Sequence, residues 1–202
     1  MNDEQTTAAA AGERPLRADA RRNRDALLAA AVEAFAKDGA DVPLETVAAN
    51  AGVGVGTLYR NFADRNALVE AAYRHEVEAL CERAPQLLAE RPSGLEALRE
   101  WMGRFVGYAA AKQGMKAALR AAIGSEGTLF SETRELITAA LGELLTAGAK
   151  DGSIRSDVDA GDVWRAIGAV WNVPSGPLWE RHVRTLLDLV LDGLRYGARE
   201  PS

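Results

Sequence analysis

The amino-acid sequence predicts an all-α protein of about nine helices, and two observations lead to this prediction. Alanine and leucine dominate the 202 residues, whereas the β-branched and aromatic residues that favour strands are sparse. Apolar residues recur at spacings of three and four in most segments, which is the period of one helix face. Turns that contain glycine or proline separate these segments, so we expect helices joined by turns.

The N-terminal part is predicted to be a disordered tail followed by a helix. Residues 1–16 form the tail, because they hold few bulky apolar side chains to offset the entropy cost of ordering. A helix is then predicted over residues 19–38. Leu27, Ala31 and Phe35 share its apolar face, and Gly39 ends it.

Two short helices are predicted next, over residues 44–51 and 55–62. Pro43 suits the first turn of one, and Leu58 and Phe62 share the inner face of the other. The six further helices are predicted over residues 64–85, 94–112, 114–123, 131–150, 159–173 and 177–197. The breaks between them fall at Pro85, residues 91–94, Gly114, residues 124–128, residues 151–153 and residues 174–177.

The connector AGVGVGT, between the two short helices, has a glycine spacing close to that of nucleotide-binding loops. Thr57 stands where the third glycine of a dinucleotide fingerprint belongs, and no lysine precedes it as in a phosphate loop. The segment before Gly52 is helical, whereas both nucleotide-binding loops follow a strand. The pattern therefore argues against a phosphate-binding loop.

A short helix, a tight glycine turn and a second short helix form a helix-turn-helix pattern. Gly52 permits the positive φ of the turn, and Ala48 is small enough for the helices to cross closely. Small residues at the start of the second helix would let it enter a DNA major groove. The pattern alone also fits an ordinary helical hairpin. The residues on the exposed sides of the second helix are Val55, Gly56, Thr57, Tyr59, Arg60 and Asn61.

Composition limits the other functions. The net charge of −5 argues against a protein that coats nucleic acid by bulk electrostatics. No apolar run is long enough to span a bilayer, so we expect a cytoplasmic protein without a membrane partner. The lone Cys81 fits a structural thiol better than a reactive one. His75 and His182 lack further metal ligands, and no catalytic group of residues is present, so we expect no metal, no cofactor and no enzyme.

Residues 22–73 resemble the TetR family of bacterial transcription regulators. The resemblance is carried by the string AAVEAFAKDGADVPLETVAANAGVGVGTLYRNFADRNALVEAAY, whose F-x-x-x-G, V-A-x-x-A-G-V, G-T-L-Y-x-x-F and R-x-A-L elements follow the family's order and spacing. It implies a three-helix DNA-binding domain over residues 17–74 and a larger helical ligand-binding and dimerisation domain over residues 75–202. The string GSIRSDVD from Gly152 is similar to a turn that precedes the first dimer helix in many members.

The resemblance also implies DNA contacts for individual residues. Thr57 and Tyr59 occupy phosphate-anchoring positions, and Asn61 occupies a further DNA-contacting position. Val55 and Gly56 lie where the recognition helix approaches bases. Arg65 stands where the family usually has a phosphate-binding lysine. We add Arg60 on its exposure in the predicted helix, with a solvated surface charge as the alternative.

Four positions depart from the family pattern. Asn61 replaces the more usual histidine, and Gly54 replaces the more usual serine. Leu44 and Glu45 replace polar or basic residues at the start of the second helix, where Glu45 would either repel phosphate or accept from a cytosine amino group. Arginines at the first helix, Arg22 among them, fit either a DNA-binding arm or a solvated helix entry. This basic cluster consists of Arg14, Arg17, Arg21, Arg22 and Arg24.

The C-terminal part carries two sets of candidate residues. The last two helices have a wide apolar stripe that could close a twofold homodimer interface, and the resemblance points to the same helices. The predicted interface residues are Trp171, Val183, Leu187, Val190 and Leu194. Aromatic and methionine residues fit either core packing or a pocket for a mainly apolar or aromatic effector. The predicted pocket residues are Trp101, Met102, Phe105, Tyr108, Met115 and Trp164.

These observations predict a ligand-responsive regulator that binds double-stranded DNA as a homodimer. We expect a repressor that a small molecule releases from a palindromic operator. The alternative is a helical module that binds small molecules or proteins and whose DNA-binding domain is degenerate.

Overall fold

The computed structural model describes residues 4–39, 41–123 and 128–196. These residues form nine α-helices and no β-strand, which confirms the predicted all-α class. The helices are α1 (Glu4–Asp38), α2 (Leu44–Asn50), α3 (Val55–Asn61), α4 (Arg65–Glu90), α5 (Gly94–Gly114), α6 (Lys116–Ile123), α7 (Thr128–Lys150), α8 (Ala160–Ile167) and α9 (Trp179–Arg195). A short 3-10 helix, Gly168–Asn172, continues from α8. None of these helices is long and apolar enough to cross a membrane.

The first helix is longer than predicted. It begins at Glu4, so residues 4–16, which were predicted to be a disordered tail, belong to the helix. Residues 1–3 lie outside the described part. Alanine is the strongest helix former, and the run at residues 8–11 accounts for the difference. The predicted end is confirmed: Gly39 has φ +81° and its amide donates to the Phe35 carbonyl at 3.1 Å.

Two other helices also differ from prediction. α4 contains Pro85 and continues to Glu90, because Leu87 is buried beyond the proline and keeps the apolar face in use. α8 ends at Ile167, and residues 168–172 adopt the tighter 3-10 form where Gly168 weakens the α-helix. The predicted break at residues 124–128 lies largely outside the described residues.

The chain divides into two compact units. The first holds Met1–Tyr73 and Gly114–Gly124, and the second holds Arg74–Gln113 and Ser125–Ser202. The predicted division near residue 74 assigns residues 114–124 to the second part, whereas they belong to the first unit. A side chain at Gly114 would lie 2.5 Å from the Ala36 Cβ, so the missing side chain lets this segment approach α1.

The second unit is held by a turn that joins two helices far apart in sequence. The Gly94 amide donates to an Asp151 carboxylate oxygen at 2.6 Å, and the Leu95 amide donates to the Ser153 hydroxyl at 3.1 Å. The turn therefore caps the N-terminus of α5, whose first amides have no partner within the helix. Backbones approach closely here, because a Cβ at Gly94 would lie 2.2 Å from the Gly148 nitrogen.

Candidate functional site

The turn before α3 is fixed by backbone hydrogen bonds and one left-handed residue. Gly52 has φ +69°, the conformation that favours glycine, and its amide donates to the Ala49 carbonyl at 3.0 Å. The Val53 amide then donates to the Ala48 carbonyl at 3.0 Å. Gly54 is extended at φ −72° and ψ 146°, and its carbonyl accepts from the Thr57 amide at 2.8 Å to start α3. The connector is thus a defined turn.

One face of α3 packs into the first unit and the opposite face is open. Leu58 is fully buried and Phe62, just after the helix, is also buried. Val47 and Ala48 of α2 are buried in the same unit, whereas Val53 is only half-buried. These burials set the rotation of α3 about its axis. The side chains one residue before and after Leu58 therefore point outward or along the flanks.

The open face of α3 carries small, aromatic and polar residues. Val55 is 39% exposed and Tyr59 is 50% exposed, although both are large enough to be buried in a core. Gly54 and Gly56 have no neighbour within 4 Å of the place a Cβ would occupy. An outside molecule can therefore reach the backbone of the first turn of α3.

Two polar contacts organise the same helix. The Arg60 guanidinium donates to the Thr57 hydroxyl at 2.9 Å, and both residues lie on one side of α3. The Asn61 side-chain amide donates to the Thr57 carbonyl at 2.8 Å. The Thr57 hydroxyl keeps its own proton to donate, and the exposed Arg60 has further N–H groups that are available to a partner. Together with Tyr59 they form a row of hydrogen-bond donors along α3.

The predicted arginines around α3 differ in their surroundings. Arg65 is half-buried, with its guanidinium carbon 5.9 Å from the Phe35 ring centroid. Arg22 is exposed and ion-paired with Asp19. The guanidinium carbon of Arg24 lies 4.8 Å from the Phe62 ring centroid, a contact that the sequence pattern did not reveal. The side chains of the other two N-terminal members of the cluster, Arg14 and Arg17, lie outside the described residues.

Glu45 and Asp64 show how acidic residues serve the short helices. Glu45 is exposed in the first turn of α2, where its charge is favourable to the helix dipole. The Asp64 carboxylate accepts from the Ala67 amide at 2.8 Å, which makes it the N-cap of α4. Glu45 thus has a structural role besides the two that the sequence leaves open at DNA.

The predicted pocket residues of the second unit form a packed aromatic cluster. Trp101, Phe105 and Tyr108 are 0–3% exposed, and the Phe105 ring lies 5.9 Å from Trp101 and 5.5 Å from Tyr108. The Trp101 indole N–H donates to the Leu80 carbonyl at 3.0 Å. Met102 is buried as well, and Met115 is buried in the first unit. These residues pack as core.

An open cleft of about 620 Å³ lies beside this cluster. Trp164 and Trp171 are half-buried, line the cleft, and place their rings edge-on to Phe105 at 6.3 and 6.1 Å. Of the predicted pocket residues, only Trp164 lines this cleft, and Trp171 was predicted for the dimer interface. The remaining wall residues are Arg134, Glu135, Thr138 and Ala139 of α7, with Gly161, Arg165 and Gly168 on the facing side.

Most residues that line this cleft were not predicted from the sequence, because they are small or polar and the predicted pocket consisted of large apolar residues. The usable signal was a pair of small residues, Gly161 and Gly168, which are seven residues apart and so lie on one side across two helical turns. Arg134 and Thr138 have the matching four-residue spacing on α7. The small residues Gly161 and Gly168 face a polar stripe on α7 and leave a space there, which the positions of the aromatic residues do not indicate.

Burial within the chain corrects the predicted dimer residues. Val183, Leu187 and Leu194 are 0–4% exposed in a single subunit, because they form the inner face of α9. The outer face instead shows Leu189, which is 64% exposed, with the half-buried Leu186 and Val190 beside it. Val190 also lines a shallow groove of about 300 Å³ together with residues of α8.

Titratable groups in the second unit serve structural roles. Burial, together with the charges of Glu143, Glu78 and Glu82, raises the pKa of the Cys81 thiol to about 11. Cys81 is thus protonated near neutral pH, which favours the structural interpretation over a reactive one. Across the part of the chain described, no group of three or more His, Cys, Asp or Glu side chains is arranged to hold a metal ion.

Comparison with known proteins shows similarity in both parts of the chain. Residues 27–72 match the family described as "Bacterial regulatory proteins, tetR family", and residues 93–196 match "Transcriptional regulator SbtR-like, C-terminal domain". A curated relative, the HTH-type transcriptional repressor KstR2 of Mycolicibacterium smegmatis, is 30% identical over 187 residues, which are 85% of this chain and 90% of the relative.

Two solved structures are similar over nearly the whole chain. The TetR transcriptional regulator SCO0520 from Streptomyces coelicolor is 51% identical with a TM-score of 0.79, over 87% of this chain and 99% of that one. A TetR transcription regulatory protein from Mycobacterium vanbaalenii is 37% identical with a TM-score of 0.72, over 90% and 99% of the two chains. The similarity therefore extends well beyond the helix-turn-helix.

Proposed function

The chain belongs to the TetR family of bacterial transcriptional regulators, and from this premise we propose that it is a homodimeric repressor that a small molecule releases from its operator. One observation carries the proposal. α3 buries Leu58 but exposes Val55 and Tyr59 beside two glycines with open space around them. A helix with this leading edge fits deep in a major groove.

Each predicted DNA-contacting residue, on α3 and on the neighbouring helices, has a chemical role in this proposal. The hydroxyl groups of Tyr59 and Thr57 donate hydrogen bonds to backbone phosphates, and Arg65 adds a positive charge. Arg60 and Asn61 donate to phosphates or base edges, while Val55 packs against a thymine methyl group. Gly56 adds no side chain, so the helix backbone can approach the bases. Arg22 contacts phosphate after exchanging its Asp19 partner for DNA.

The outer face of α9 supports the homodimer. Leu189 is largely exposed in the single subunit, with Leu186 and Val190 adjoining it, and a second copy would cover this apolar surface with a twofold-related one. Two subunits would then present two copies of α3 to successive major grooves. Such half-sites lie about 34–36 Å apart on a palindromic operator.

The cleft with Trp164 and Trp171 supports a small effector that is mainly apolar or aromatic. Ligand binding would favour a conformation in which the two recognition helices are wrongly spaced for the operator. Operator affinity then falls by the ratio of the ligand's affinities for the two conformations.

The test is a mobility-shift assay across a salt series on the intergenic DNA that flanks the gene. The variants are Tyr59→Phe, which removes one hydroxyl, and Arg60→Ala, which removes one cation from α3. We expect each to weaken operator binding about ten-fold and Arg60→Ala to reduce the salt slope by about one. Arg181→Ala, at an exposed position of α9, is the matched control, because it removes the same charge from a helix assigned no DNA contact.

Sequence-selective binding that fails in the two α3 variants but persists in Arg181→Ala would support the proposal. Weak binding shared equally by all fragments, with no difference among the variants, would contradict it. That result would favour a helical ligand- or protein-binding module with a degenerate DNA-binding domain.

A further inference from the structure

We propose that the cleft formed by α7, α8 and the 3-10 helix is the effector site and that it takes a flat aromatic molecule carrying a carboxylate. This inference rests on the proposed function, since it names the site and ligand class for the small molecule invoked there. The aromatic cluster of α5 is closed, with Trp101 and Phe105 0% exposed, so a ligand has no space within it. The cleft beside it is open and measures about 620 Å³.

The walls of the cleft favour a flat apolar ligand. Trp164 and Trp171 both line it while remaining half-buried against Phe105, so their rings are held in place. Fixed indole rings offer large apolar surfaces at a low cost in side-chain entropy. A volume of about 620 Å³ is within the roughly 300–1,000 Å³ typical of small-molecule pockets. A bicyclic aromatic ligand therefore fits between the walls.

The charged residues of the lining favour an anion. Arg134, Arg165 and Glu135 line the cleft, which gives it one more positive than negative charge in a chain of net charge −5. Arg165 is ion-paired with Asp162, whereas Arg134 has neither an ion pair nor a hydrogen bond with the described residues. A planar guanidinium without a partner matches a carboxylate through two parallel hydrogen bonds.

Trp171 connects the cleft to the interior of the second unit. Its ring lies 6.1 Å from the rings of Phe105 and Tyr108, and the Lys112 ammonium lies 4.7 Å from its centroid. A ligand that packs against Trp171 therefore bears on α5 through the contacts of this ring with Phe105 and Tyr108. The cleft is placed to convert ligand binding into a change of helix packing.

Gly168 offers a way to fill the cleft without damaging the fold. A Cβ at Gly168 meets no atom within 4 Å, and its φ of −60° suits any residue. Gly168→Leu would thus project a side chain into the cleft. Gly107 is the matched control, because it is an exposed glycine of α5 with equally open surroundings and does not line the cleft. Gly107→Leu makes the same chemical change elsewhere in this unit.

The experiment measures binding of three probes to the full chain by isothermal titration calorimetry. The probes are 1-naphthaleneacetate, its neutral amide, and the cationic 1-naphthylmethylamine. We expect the carboxylate to bind about ten-fold more tightly than the amide, since hydrogen bonds to charged groups are the stronger ones. Arg134→Gln should remove this preference. Gly168→Leu should weaken carboxylate binding at least ten-fold, whereas Gly107→Leu should leave it unchanged.

Three results would overturn the inference: no carboxylate binding at millimolar concentration, equal or tighter binding of the amide or amine, or undiminished binding to Gly168→Leu. A mobility shift with operator DNA, run on the same preparations, separates the two proposals. Normal operator binding without probe binding rejects the cleft alone. Probe binding that follows the expected pattern, without any operator binding, supports the cleft and rejects the repressor.

Discussion

The exposed faces of α3 and α9 differ in ways that match two kinds of partner. α3 is seven residues long and shows Val55 and Tyr59 between glycines and hydrogen-bond donors. α9 is 17 residues long and exposes Leu189, with the half-buried Leu186 and Val190 beside it, on a side that otherwise carries mostly charged residues. Small residues and donors suit a groove of bases and phosphates, whereas an apolar patch among charged residues suits a second helix. In both helices a buried leucine, Leu58 in α3 and Leu187 in α9, decides which face points outward.

The largest expected effects come from the buried faces, where the two helices should behave alike. Leu58→Ala in α3 and Leu187→Ala in α9 each leave a cavity, because both side chains are at most 2% exposed. We expect each to lower the free energy of unfolding by about 2–5 kcal/mol. Urea unfolding followed by circular dichroism measures this loss. A change below about 0.5 kcal/mol in either variant would mean that its assigned inner face is wrong.

The outer faces should then respond differently, beginning with α9. Leu189→Glu puts a charge in the proposed dimer interface, where it would be desolvated without a partner. We expect at least a ten-fold rise in the dimer dissociation constant by sedimentation equilibrium, with little change in thermal stability because the site is exposed. Arg195→Gln changes the net charge equally at another exposed α9 position and is the control. Equal effects in both variants would indicate charge repulsion rather than an interface.

Leu58 and Leu187 also show how much of the fold the sequence could predict. Apolar spacing places Leu58 on the inner face of α3, and it places Leu187 on the apolar stripe of α9 without showing that a single subunit buries it. Spacing and turn residues find every described helix, and the largest differences are at the start of α1 and at the ends of α4 and α8. Such signals are local, because helix periodicity and capping involve residues only a few positions apart. The Gly114 approach to Ala36 joins residues far apart in the chain, and no local signal reveals it.

The candidate sites were predictable to different degrees for the same reason. The exposed residues of α3 could be predicted because the helix is short and Leu58 is its one buried residue, which fixes the face that points outward. The wide stripe of α9 does not reveal which leucines a single subunit already buries, so Val183, Leu187 and Leu194 were misassigned to the dimer. The cleft requires α7 and α8 to be adjacent, a tertiary relation outside the reach of periodicity.

The smallest predicted effects concern two glycines of the helix-turn-helix, and they have opposite signs. Gly52→Ala forces alanine into a φ of +69° and should destabilise the fold by about 1–2 kcal/mol. Gly56→Ala, in a helix with open surroundings, should instead stabilise it by about 0.5–1 kcal/mol. Its new methyl group would hold α3 away from the bases, so operator affinity in the mobility-shift assay should fall although the melting temperature rises. Unchanged operator affinity in Gly56→Ala would show that the first turn of α3 does not enter the groove, and the assignment of this helix would need revision.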